Sequence, residues 1–139
     1  MNMKLHLIIS LLVMGFISSQ AYPNSKLEFF NELRELFNAR EDAINRFYAL
    51  GILSGERQLT FKEQLELTNS ICDIANVNEQ IKTIYNDNFE QSQELLKENT
   101  TREQMNQEID KENHSYLDVV KRVTGTPYEC GKQNYKKLL

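Results

Sequence analysis

Residues able to do chemistry are few in this chain and widely spaced. Asp110, His114 and Asp118 fall on one face at helical spacing, a set that would offer a metal one imidazole and two carboxylates. A solvated helix stripe explains the same spacing, because Asp and His are common on exposed faces and no second histidine stands near them. The segment Asn86-Asp87-Asn88-Phe89-Glu90 is rich in oxygen donors. It lacks the turn glycine and the spaced bidentate glutamate of a calcium loop, and so reads as a helix interruption. Neighbouring carboxylates, Glu41 with Asp42 and Glu108 with Asp110 and Glu112, would serve acid–base chemistry only inside a desolvating cleft. Neither a nucleophile elbow nor a Gly-rich phosphate loop is present. The residue pattern therefore assigns no catalytic, cofactor or metal site, and the expectation is a protein that is not an enzyme.

The two cysteines, Cys72 and Cys130, are a different matter. In an oxidising compartment they would close one intramolecular bridge, tying the C-terminal tail to a helix; a bridge between two copies and a pair of free thiols are the alternatives. Closing a loop of this length stabilises a fold by about 4 kcal/mol in the chain-entropy picture. Two cysteines are too few for a four-ligand zinc site, and their spacing is not that of a redox pair. Two further motifs concern modification. Asn99-Thr100-Thr101 and Asn113-His114-Ser115 both match the N-glycosylation acceptor pattern, and either, if used, must face solvent.

Both expectations depend on export, for which the N-terminus carries the signature. One positive charge, Lys4, precedes a run over residues 5–17 that is apolar except for His6, Ser10 and Gly15, and is followed by Ser18, Ser19, Gln20 and Ala21. That run is shorter than the roughly 20 residues of a bilayer-spanning helix. With small residues at Ser19 and Ala21, the layout is that of a secretory signal peptide over residues 1–21, cut after Ala21, and of a secreted domain over residues 22–139. An uncleaved anchor is the alternative.

Without residues 1–21 the chain has 118 residues, one domain by size. No later stretch approaches a membrane span, so no membrane association is expected after cleavage. Loss of Lys4 leaves 15 basic side chains against 20 acidic ones. That balance argues against nucleic acid as a partner, which calls for a clustered basic surface. Charge is unevenly placed, with residues 86–112 acidic and residues 113–139 basic. A solvated acidic face beside a basic tail accounts for this, and an electrostatic docking surface is the alternative.

The elements that must position these residues read as helices. Only five glycines and two prolines are present, and Pro23 and Pro127 lie at the edges of the mature chain. Ser25-Lys26-Leu27-Glu28 fits a capping box opening a first helix, whose apolar stripe through Phe29, Phe30, Leu33, Leu36, Phe37, Ile44, Phe47 and Tyr48 is expected to end at Gly51. Residues 52–59 read as a connector. Thr60-Phe61-Lys62-Glu63 is a second capping box, opening a helix expected to reach Ala75 with Cys72 at the edge of the core. Asn76-Val77-Asn78-Glu79 reads as a new start or a kink, before a third helix through Ile81, Ile84, Tyr85, Phe89, Leu95 and Leu96. Thr101-Arg102-Glu103-Gln104 caps a fourth helix with Met105, Ile109, Tyr116, Val119, Val120 and Val123 on its buried side, and Gly125 stops it. Tyr128, Tyr135, Leu138 and Leu139 are available to pack the tail.

From Leu59-Thr60-Phe61-Lys62-Glu63 through Ile74-Ala75-Asn76-Val77, and on through Ile81, Tyr85 and Phe89, the pattern resembles small secreted helical proteins of nematodes, of the SXP/RAL type or a family of similar design. The resemblance spans about half of the mature chain. It implies an exported helical protein without an established enzyme activity. Divalent-metal binding has been ascribed to some members, but no residue here matches a ligand motif, and the Cys72 and Cys130 pair has no place in that pattern.

Fold and function expectations follow together. The fold expected is all-α, a bundle of four to five helices with a C-terminal tail tied by one disulfide. The function expected is that of a secreted, extracellular binding protein acting on another extracellular protein. Its alternative is a carrier holding a small apolar, lipid-like ligand among the aromatic side chains of the first helix.

Overall fold

The computed structural model describes residues 24–96 and 100–131, and within these every regular element is a helix. The leader, its cleavage point, Asn99 and the tail residues Tyr135, Leu138 and Leu139 lie outside the described residues. Four helices follow one another: α1 (Asn24–Glu56), α2 (Phe61–Asp87), α3 (Phe89–Leu96) and α4 (Arg102–Val123). The all-α bundle is thus established, with the tail bound by a Cys72–Cys130 disulfide whose Cα atoms are 5.7 Å apart.

The first helix departs from expectation at both ends. It already includes Ser25, and it runs through Gly51 to Glu56. Glycine costs a helix about 1 kcal/mol relative to alanine. Here the last turn is anchored regardless: Arg57 N–H donates to Leu53 O at 3.1 Å, and the Arg57 guanidinium pairs with Glu63 at the start of α2. Local stop signals lose to that tether.

The second capping box is as expected. Thr60 Oγ1 accepts from Glu63 N–H while the Glu63 carboxylate accepts from Thr60 N–H at 2.8 Å. The helix it opens does not end at Ala75. Residues 76–79 are helix interior, with Val77 and Asn78 buried, so the two helices expected here are one element of 27 residues. The interruption falls at Asn88 instead, within the Asn-rich stretch. Its backbone N–H and its side-chain Nδ2 both donate to Ile84 O, closing α2 before α3 begins. Thr101 and Gln104 form another capping box, at the start of α4.

Gly125, at φ +78°, turns the chain out of α4, a conformation that side chains with a Cβ disfavour. Thr126 then shapes a tight turn, its Oγ1 donating to Val123 O at 2.6 Å and accepting from Tyr128 N–H at 3.1 Å. Tyr128 Oη donates to Gln64 Oε1 at 2.7 Å, and its ring lies 5.3 Å from that of Phe61. These contacts deliver Cys130 to Cys72.

Pairings fix the topology. Arg57 meets Glu63, Arg46 meets Asp73 and Arg40 meets Asn78, so α1 and α2 are antiparallel. Lys82 meets Asp110 and Gln64 meets Tyr128, so α4 is antiparallel to α2. Helix α2 is therefore the shared neighbour of α1 and α4. One end of the bundle holds the main core, Phe29 and Leu33 from α1, Val77, Ile81 and Tyr85 from α2 and Met105 from α4. Full burial of side chains of this size contributes roughly 1.5–3 kcal/mol each.

Candidate functional site

At mid-height the apolar stripes of the three long helices each carry one polar residue, and the three meet. Arg40 continues the spacing of Leu33 and Leu36, Asn78 that of Ile74 and Ile81, and Asn113 that of Met105 and Ile109. Arg40 Nε donates to Asn78 Oδ1 at 2.7 Å, and Asn78 Nδ2 donates to Asn113 Oδ1 at 3.0 Å. Asn113 Nδ2 donates in turn to Ala75 O at 3.2 Å and to Glu79 Oε1 at 2.9 Å. The other arm of Arg40 reaches Glu112 on α4. Every side chain in this layer has partners, which a polar group withdrawn from water requires.

This layer bears on the acceptor string at Asn113. Asn113 does not face solvent as a glycan acceptor would: its relative exposure is 0%, and both amide hydrogens are committed to α2. Its neighbours His114 and Ser115 are exposed. The pattern Asn-x-Ser describes only a local string, and α2 encloses the first of its three residues. The other acceptor, Asn99, lies outside the described residues.

The candidate metal face is also resolved into separate parts. Asp110 pairs with Lys82 on α2, whereas His114 is 75% exposed, with Nε2 3.4 Å from Asp118. No cluster of three or more His, Cys, Asp or Glu side chains suited to a metal occurs among the described residues. Asn86 is engaged with Asn106 in a reciprocal amide pair at 2.8 and 3.2 Å, so its oxygen is turned to α4.

Above the polar layer the α1–α4 seam becomes aromatic. Phe47 lies edge-on to Tyr116 at 6.5 Å and to Tyr48 at 5.5 Å between ring centroids. Burial raises the Tyr116 phenol above its usual value; Arg40 opposes that shift, while Tyr48 and Glu112 add to it. Tyr48 is 50% exposed and Ile52, one turn on, 68%. Beside this edge Gly51 and Gly55 have no atom within 4 Å of where a Cβ would stand. On the other side of α1, Ala39, Asp42 and Arg46 face Asp73, Asn76 and Val77 of α2 across an open groove.

The aromatic side chains of the first helix divide between two places. Phe29 is buried in the core and Phe30 and Phe37 pack against it, whereas Phe47 and Tyr48 belong to the seam at the opposite end. The polar layer separates the two groups. Its signal was present in the sequence as charged or amide residues in phase with apolar ones. No helix among the described residues is long and apolar enough to cross a membrane. Compared with known proteins, the chain matches no family model, no curated protein and no solved structure.

Proposed function

We propose that this chain is an exported helical protein that acts by binding another extracellular protein, without chemical turnover. The observation that carries the proposal is the exposed apolar edge at Tyr48 and Ile52, set beside the Phe47–Tyr116 contact between α1 and α4. Large aromatic and aliphatic side chains held in the open by ordered structure are the usual anchors of protein recognition. The closed disulfide is compatible with an oxidising compartment, and the apolar run over residues 5–17 supplies the export signal this proposal needs. Likeness to the secreted nematode proteins of SXP/RAL type belongs to the same proposal, on the residues of the α2 capping box and stripe.

The test is a photo-crosslinking residue placed at Ile52 in the full chain, incubated in the fluid from which the protein is recovered. A single crosslinked extracellular protein, competed away by unlabelled chain and lost with Tyr48→Ala, is the expected result. Native mass spectrometry of the same material distinguishes the carrier alternative, which requires a reproducible lipid-sized adduct. Recovery only from cell interiors with both thiols free would overturn the proposal.

A further inference from the structure

We propose that Asn113 is a fold-gated acceptor: its amide can receive an N-linked glycan only while the bundle is open, and closure of α4 onto α2 withdraws it permanently. The acceptor string Asn113-His114-Ser115 is complete in the chain, and its second and third residues remain exposed in the fold. Only the reacting atom is hidden. Asn113 Nδ2 spends both hydrogens, one on Ala75 O and one on Glu79 Oε1, while Oδ1 accepts from Asn78.

Transfer consumes one of those hydrogens. The amide nitrogen attacks the anomeric carbon of a lipid-pyrophosphate-linked oligosaccharide and the new C–N bond forms. The bond from that carbon to the pyrophosphate oxygen breaks, the lipid pyrophosphate leaves with the electron pair, and the displaced amide proton passes to a base of the transferase. The product keeps one N–H where the folded layer uses two, and it carries a sugar where the exposed area is zero. Glycan at Asn113 and the closed polar layer therefore exclude one another. A chain modified there has lost the layer that joins Arg40, Asn78 and Asn113, and is marked as one that failed to close.

The inference rests on the export proposal for its occurrence in the cell, and an added export leader ahead of the full chain keeps the two separable. The chain is produced in eukaryotic cells behind that leader, and site occupancy is read by mass spectrometry after enzymatic deglycosylation in heavy-oxygen water. Disulfide-closed protein from the medium is expected to be unmodified at Asn113. Brief reductant during synthesis, which delays the Cys72–Cys130 bridge, should raise occupancy there several-fold, as should Asn78→Ala, which removes one partner of the layer. Ser115→Ala, at an exposed position outside the layer, should abolish that rise and leave the helicity of the folded protein unchanged. A folded, disulfide-closed form carrying glycan on Asn113 would overturn the proposal. So would unchanged occupancy under reductant, since that arm uses the unaltered chain and does not depend on a variant that folds.

Discussion

Asn78 Nδ2 donates to Asn113 Oδ1 across the α2–α4 interface at 3.0 Å, with both side chains buried. The pair makes the middle of the bundle polar and forces a choice of register, because sliding either helix by one turn would set each amide against apolar neighbours. Buried amides fix alignment in paired helices in the same way.

Asn113→Ala should therefore destabilise the protein by about 3 kcal/mol, since it removes three hydrogen bonds and strands the buried amide of Asn78. Replacing Arg40, Asn78 and Asn113 together by leucine should recover most of that loss, because Glu79 and Glu112 lie near enough to the surface to regain water. Urea denaturation of the single and triple variants measures both, and a triple variant less stable than the single one would contradict the account.

Acid sensitivity should centre on Glu63. Hydrogen bonding from Arg57, and then from the Thr60 backbone and hydroxyl, lowers its carboxyl from 4.5 to about 2. A carboxylate held below its unfolded value binds fewer protons when folded. Its stabilising effect is complete above about pH 4.5 and is lost as the pH falls towards 2. Glu63→Gln retains the capping geometry but not the charge, so its unfolding midpoint should vary less with pH across that window.

At the alkaline end the sign reverses. Burial pushes the Tyr85 phenol up to about 12 from 10. Folding therefore favours the protonated ring, and stability should decline as the pH rises from 10 towards 12. Tyr85→Phe should flatten that decline, which thermal melts across the range would read.

Two glycines should behave oppositely to a third. Gly51 and Gly55 are helical, and an added Cβ meets nothing within 4 Å, so alanine at either should stabilise by roughly 0.5–1 kcal/mol. Gly125 has φ +78°, where alanine should cost about 1 kcal/mol despite equally open space. Melting temperatures of the three variants decide the matter.

Cys130→Ser should lower stability by about 4 kcal/mol on the chain-entropy scale, as the loop it opens joins positions 58 apart in sequence. Because the Thr126 turn and the Tyr128–Gln64 hydrogen bond remain, helicity should persist while the midpoint falls. Circular dichroism in denaturant separates the two effects.

Features whose causes lie within a few residues were legible before the fold was known. The Thr60 and Thr101 boxes, the break at Asn88 and the stop at Gly125 each need only local backbone groups, and local strings describe them adequately. The cysteine pair was legible because two thiols leave a single intramolecular bridge. Gly51, the 76–79 segment and Asn113 share one feature that a local string does not carry: the groups that decide their environment sit on other elements. Arg57 is held by Glu63 of α2, Asn78 by Arg40 of α1, and Asn113 by Ala75, Asn78 and Glu79 of α2. An asparagine read by itself suggests a cap or an exposed acceptor. Placed in phase with Ile74 and Ile81, or with Met105 and Ile109, it is an interior residue with partners to be found across the bundle.

The bond from Cys72 to Cys130 divides the molecule topologically. Everything from the middle of α2 through α4 belongs to one covalent ring, and α1 hangs outside it on the four residues 57–60. A protease cutting anywhere in the ring leaves a nicked molecule of unchanged mass apart from one added water. The same protease cutting beside Arg57 leaves the first helix, with Tyr48 and Ile52, held by noncovalent contacts alone and free to be shed.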